Sequence, residues 1–171
     1  MCTVSFYQDN SKVIITSNRD EHINRPSAIS PKKISYGAKT LYYPKDPQAG
    51  GTWFAVNSIG FVFVLLNGAE AKHIPNPPYR KSRGLVLLDI INSNNFLEEW
   101  NIINLSNIEP FTVIAFVDHQ LFQIRWNEIE KSLIQLDSNR AYIWSSTTLY
   151  SEAVISIRES WFSEFLNQNK E

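Results

Sequence analysis

Cysteine occurs once in this chain, as Cys2, directly behind the initiator methionine. Initiator methionine is commonly clipped when the next residue is small, and cysteine is small enough. Clipping would leave a thiol and a free α-amine on one residue, a nucleophile beside a general base. The amine, with a pKa of roughly 7.7–8.0, exchanges protons near neutrality. The thiol is the best of the common side-chain nucleophiles once deprotonated. A lone cysteine also reads as a small buried hydrophobe. The chemical reading therefore needs a cation to settle the thiolate, a carboxylate to hold the amine, and donors for an oxyanion.

Asn18-Arg19-Asp20-Glu21 supplies the first two. Residues 3–8 and 12–17 read as two strands joined by a turn at Asp9-Asn10-Ser11, a hairpin pattern. Such a hairpin brings the end of its second strand beside the start of its first. Arg19 and Asp20 then fall close to Cys2, with Arg19 stabilising the thiolate and Asp20 steadying the amine. The other reading of the tetrapeptide is a charged loop whose surface pairs contribute little.

The elements that must position these residues follow from the hydrophobic pattern. Further hairpins are expected over 33–43 and 53–66, with polar loop from 18 to 31. Residues 68–78 hold Pro75, Pro77 and Pro78 and read as irregular. Helices are expected over 80–92 and 94–103, then strands over 111–117, 121–126, 132–136 and 141–145. Residues 151–166 close the chain as an amphipathic helix, with Ser151 as N-cap and Val154, Ile157, Trp161 and Phe165 on its apolar stripe. Strands, two helices, strands and a helix make an α+β chain rather than an alternating one. Two antiparallel sheets packed face to face with helices outside satisfy the order, with the first strand central. The length of 171 residues suits a single domain over 1–171.

Four motifs carry a family resemblance: Met1-Cys2; Asn18-Arg19-Asp20-Glu21 with Arg25-Pro26; Gly50-Gly51-Thr52-Trp53; and Ser82-Arg83-Gly84. In this order they resemble the signature of the NRDE family, which includes the animal transport and Golgi organisation protein. The resemblance implies an αββα sandwich like that of the N-terminal-nucleophile (Ntn) hydrolases. A more distant likeness is to choloylglycine hydrolases and penicillin V acylases, through Asn57 to Asn67 and the Met-Cys-Thr start. It implies Cys2 as nucleophile, Arg19 as its charge partner and Asn67 as an oxyanion donor. Asn67 also reads as an ordinary Asn-Gly turn residue. Two departures stand out. His22 occupies the place of the acylases' aspartate, leaving Asp20 as the nearby acid. Ser146, a shorter donor, stands where they carry a second asparagine.

The expected function is hydrolysis of a non-peptide amide through a thioester. The alternative is a protein of the same fold that carries a hydrophobic ligand, such as haem or an acyl-CoA, without turnover. Apolar residues at 43% and charged residues at 19% indicate a globular chain. A net charge of −1 supplies no field for nucleic acid. No apolar run is long enough to span a bilayer, and no leader pattern precedes the first strand. One cysteine excludes an internal disulfide, which suits a cytoplasmic setting. His22, His73 and His119 fall in separate loops without metal-ligand spacing, so no metal or cofactor is expected.

Overall fold

The computed structural model describes residues 3–9, 12–37 and 39–168. Cys2, on which the proposed chemistry rests, lies outside the described residues. The described residues form ten strands and three helices. In order these are β1 (Thr3–Gln8), β2 (Val13–Asn18), β3 (Ile29–Tyr36), β4 (Lys39–Lys45), β5 (Phe54–Asn57), β6 (Val62–Asn67), α1 (Arg83–Asn92) and α2 (Phe96–Ile102). Then follow β7 (Phe111–Val117), β8 (Gln120–Trp126), β9 (Lys131–Leu136), β10 (Tyr142–Ser145) and α3 (Glu152–Gln168).

The strands build two antiparallel sheets. The smaller has the order β10-β1-β2, with β1 central, and the larger runs β3-β4-β5-β6-β7-β8-β9. Strand alternation divides the larger sheet's side chains between two cores. Phe63, Leu65, Phe111, Val113, Phe122 and Ile124 face α1 and α2, where Leu87, Ile91 and Trp100 complete the larger cluster. Val64, Leu66, Ile114 and Leu121 face the small sheet and meet Val4 and Phe6 of β1. With α3 against β10, the layers are helix, sheet, sheet, helix. This is the α+β sandwich expected from the order of elements.

Three expectations give way to local detail. Residues 29–31 belong to β3 rather than to a loop. β3 is an edge strand, where the missing N–H of Pro31 leaves no ladder bond broken. α1 begins at Arg83, not Arg80, because Ser82 caps it through its hydroxyl to the Leu85 N–H (3.3 Å). Arg80 instead ties its own loop to the carbonyls of Asn104 (2.5 Å) and Ser106 (3.3 Å). The stripe Val154, Ile157, Trp161, Phe165 stays exposed, with Trp161 at 65%. The more covered face of α3 is Ile155, Arg158, Phe162 and Leu166, one residue further on.

Candidate functional site

The hairpin places the end of β2 beside the start of β1, with Thr3 opposite Asn18 on one side and Ser145 on the other. Thr3 is 9% exposed and is the residue bonded to Cys2. Two charged clusters form around this end of the small sheet.

The first cluster contains Asp20. Its carboxylate accepts a hydrogen bond from the Tyr150 hydroxyl and lies 3.6 Å from Nη2 of Arg158. Arg158 also donates to the Thr3 hydroxyl and lies over the Tyr150 ring at 4.0 Å. Asp20 is therefore built into the contact between the hairpin and α3. The inward place of Arg158 explains why the covered face of α3 differs from its apolar stripe.

The second cluster lines a polar pocket of about 130 Å³, which draws together residues from all three internal motifs. Arg19 leaves β2 with its side chain 15% exposed. It stacks on Trp53 at 4.6 Å and donates to Oδ2 of Asp46 at 3.1 Å. Glu21 lies 3.5 Å from Arg19 and 3.8 Å from Arg25. Arg25 donates to the same Asp46 oxygen through Nη2 (2.8 Å) and Nε (3.1 Å). The other oxygen of Asp46 accepts the N–H groups of Gln48 (2.9 Å) and Ala49 (3.0 Å). Burial works against the charge of Asp46, but these N–H groups and Arg25 outweigh it and hold the carboxyl below its ordinary value.

Arg83 enters the pocket from the first turn of α1. Burial pushes its guanidinium below its ordinary value, and Glu109 opposes that. Glu109 receives Nη2 at 2.9 Å, while the Pro110 carbonyl accepts Nη1 at 3.1 Å. The second oxygen of Glu109 lies 3.2 Å from Nε2 of His73. His73 thus belongs to a chain that ends at Arg83.

Asn67, at the end of β6, lines the same pocket. Among the described residues, its Oδ1 and the Nε of Arg19 are buried without a hydrogen-bond partner. Buried polar atoms are rarely left so, because each forfeits its hydration. One acceptor and one donor in a single pocket suit a ligand carrying both an N–H and an oxygen.

Ser146 is fully buried. Its hydroxyl donates to the backbone carbonyl of Asn67 at 2.8 Å and lies 3.0 Å from the Thr148 hydroxyl. Its proton is engaged by the Asn67 carbonyl.

Asp46, Arg25, Arg83, Glu109, Tyr150 and Arg158 were not singled out as site residues by sequence reasoning. Arg25 and Arg83 lie inside the motifs that carried the resemblance, and that was a usable signal. Asp46 had a weaker one, as the acid of the turn preceding Gly50-Gly51. Nothing local distinguished Tyr150 or Arg158. Among the described residues, no group of three or more His, Cys, Asp or Glu is placed to hold a metal.

Fold and site together define a two-sheet α+β sandwich with an arginine-lined pocket at one end of its small sheet. The chain matches the model of the family described as transport and Golgi organisation 2 over residues 1–171, and it belongs to that family. No curated protein matches it. No helix among the described residues is long and apolar enough to cross a membrane.

Proposed function

We propose that this protein is an Ntn-type cysteine amidohydrolase that cleaves a non-peptide amide, working in the cytoplasm with Met1 removed. The observation that carries this reading is the shared pocket of Arg19 and Asn67, each with an unsatisfied buried atom, at the end of the sheet where Thr3 is held. In this mechanism the Cys2 sulfur attacks the amide carbon while the Cys2 amine takes the thiol proton. The backbone or side-chain N–H of Asn67 donates to the oxyanion, its Oδ1 remaining an acceptor, and Arg19 favours the thiolate. The tetrahedral intermediate collapses, the C–N bond breaks, and the leaving amine departs with the proton held by the α-ammonium. Water then attacks the thioester and gives its proton to the amine. The C–S bond breaks, and the thiolate recovers that proton. Asp20 steadies the amine through the network it shares with Tyr150 and Arg158, and Ser146 positions Asn67.

The test begins with intact mass spectrometry of the untagged protein before and after brief dilute iodoacetamide at neutral pH. Loss of Met1 with fast single alkylation is expected, followed by turnover in a panel of acyl amides that Cys2→Ala abolishes without loss of fold. Retained Met1, or a processed but inert thiol, would overturn the reading.

A second reading, carriage of a hydrophobic ligand such as haem or an acyl-CoA, is favoured by one observation. Between the outer face of the small sheet and α3 lies a cleft of about 730 Å³ whose walls include Tyr7, Ile14, Phe162 and Leu166. That volume lies in the range of small-molecule sites. A carrier would bind acyl-CoA equally well as Cys2→Ala. Haem held through Cys2 would give a Soret band that the substitution removes.

A further inference from the structure

Asn67 also borders a second cavity of about 170 Å³, whose walls include residues of β10 and α3. Arg125 of β8 stands in its wall, directly across the ladder from Thr112. Thr112 is buried, and the strand alternation that sends Ile124 and Trp126 to the helices sends Arg125 between the two sheets.

A guanidinium between sheets ordinarily has a close carboxylate, because removing a charge from water costs several kcal/mol. Arg19, Arg25 and Arg83 follow this rule, with carboxylate oxygens at 3.1, 2.8 and 2.9 Å, while Arg158 has its carboxylate, on Asp20, at 3.6 Å. Arg125, its side chain 25% exposed, has only a loose ion pair with Glu70. Its Nε donates to the Thr112 hydroxyl at 3.3 Å, which fixes the plane of the fork. Its nearest carboxylate oxygen, on the half-exposed Glu70, lies 3.6 Å from Nη1, beyond hydrogen-bond length. Among the described residues, the terminal nitrogens of Arg125 make no hydrogen bond.

We propose that this cavity is a carboxylate-binding site in which Arg125 is the recognition residue. A planar monoanion matches the fork of one arginine. A dianion such as phosphate would meet repulsion from Glu70 and from Glu159 at the mouth. Thr147 stands on the facing wall, its hydroxyl directed at the carbonyls of Ala69 and Ala71 at 3.4 Å each, long contacts that a bound carboxylate would compete with. The role of the site rests on the amidohydrolase reading. A substrate that passes Asn67 at the end of β6 would place a carboxylate-bearing end at Arg125. Binding itself does not depend on that reading.

The experiment is an NMR titration of ¹⁵N-labelled protein with propionate, with propanamide as its neutral isostere. The amides of Gly68, Thr112 and Thr147 should shift saturably with propionate and not with propanamide. Arg125→Gln should weaken binding at least tenfold. Glu70→Gln, which removes the competing anion, should tighten it about threefold; this variant decides the matter if Arg125→Gln does not fold. Absence of saturable shifts at these amides, equal response to propanamide, unchanged affinity in Arg125→Gln, or weaker binding in Glu70→Gln would each overturn the site. Cys2→Ala should bind propionate like wild type. An inert thiol with intact binding therefore sinks only the hydrolase reading, and an active thiol without binding sinks only this site.

Discussion

Gly51 and Gly84 meet backbone to backbone: a Cβ built on Gly51 would lie 2.4 Å from the carbonyl carbon of Gly84. Thr52 seals the contact by donating its N–H to the Gly84 carbonyl at 3.3 Å. This approach sets the first turn of α1, and Arg83 with it, against the segment that carries Trp53 and the bed of Arg19.

Gly84→Ala should therefore destabilise the protein, although alanine is favoured over glycine within a helix by about 1 kcal/mol. The new Cβ would lie 2.7 Å and 2.8 Å from the backbone oxygen and nitrogen of Thr52, atoms that cannot swing aside. Overpacking of this kind costs about 1–3 kcal/mol, enough to outweigh the gain. The midpoint of urea unfolding should fall, and an unchanged or higher midpoint would show that α1 can move away.

Asp46 should govern part of the acid sensitivity of folding. Its folded-state carboxyl titrates below its ordinary value, so the native state favours the charged form. The resulting stabilisation is complete above the unfolded value of about 4. It is lost as pH falls below that and through the lower folded value. Asp46→Asn should cost about 3 kcal/mol at pH 7, because Arg19 and Arg25 lose a shared partner. It should also make the decline in stability below about pH 4 shallower than in wild type. Urea midpoints measured from pH 7 to pH 3 test both, and parallel acid limbs would refute the assignment.

Glu109 should matter more than His73. Glu109→Ala leaves the Arg83 guanidinium, 16% exposed, without its carboxylate, which costs about 3 kcal/mol. His73→Ala removes only the outer member of the chain and should cost within about 1 kcal/mol. Thermal unfolding of both variants should show this order, and a reversed order would place the supporting charge elsewhere.

Ser146→Ala should separate position from chemistry. Losing the hydrogen bond to the Asn67 carbonyl should cost about 1–2 kcal/mol of stability. On the amidohydrolase reading, kcat should also fall with KM little changed, because the displaced Asn67 donates to the oxyanion and not to the ground-state amide. A rise in KM alone would give Ser146 a part in binding instead.

Much of the architecture was legible from local pattern alone. The alternation in residues 3–8 and 12–17 and their turn gave a hairpin, and a hairpin necessarily sets Arg19 beside the start of β1. The apolar run from Phe61 to Leu66 announced a strand buried on both faces, and β6 lies between the two cores. The sequence by itself determined these elements, their order and the glycines at the motif contacts, because hydrophobic period and backbone restriction act over a few residues.

Only the tertiary structure decided the partners. Asp46 became the acid shared by Arg19 and Arg25 because the turn before β5 folds back over the end of β2, 27 residues away in sequence. Asp20, adjacent to Arg19, went instead to Tyr150 and Arg158. The same applies to α3, whose covered face includes Arg158 because Thr3 and Asp20 lie beneath it. Charge pairing acts through space over a few ångströms, so which carboxylate meets which guanidinium is settled only when distant segments pack.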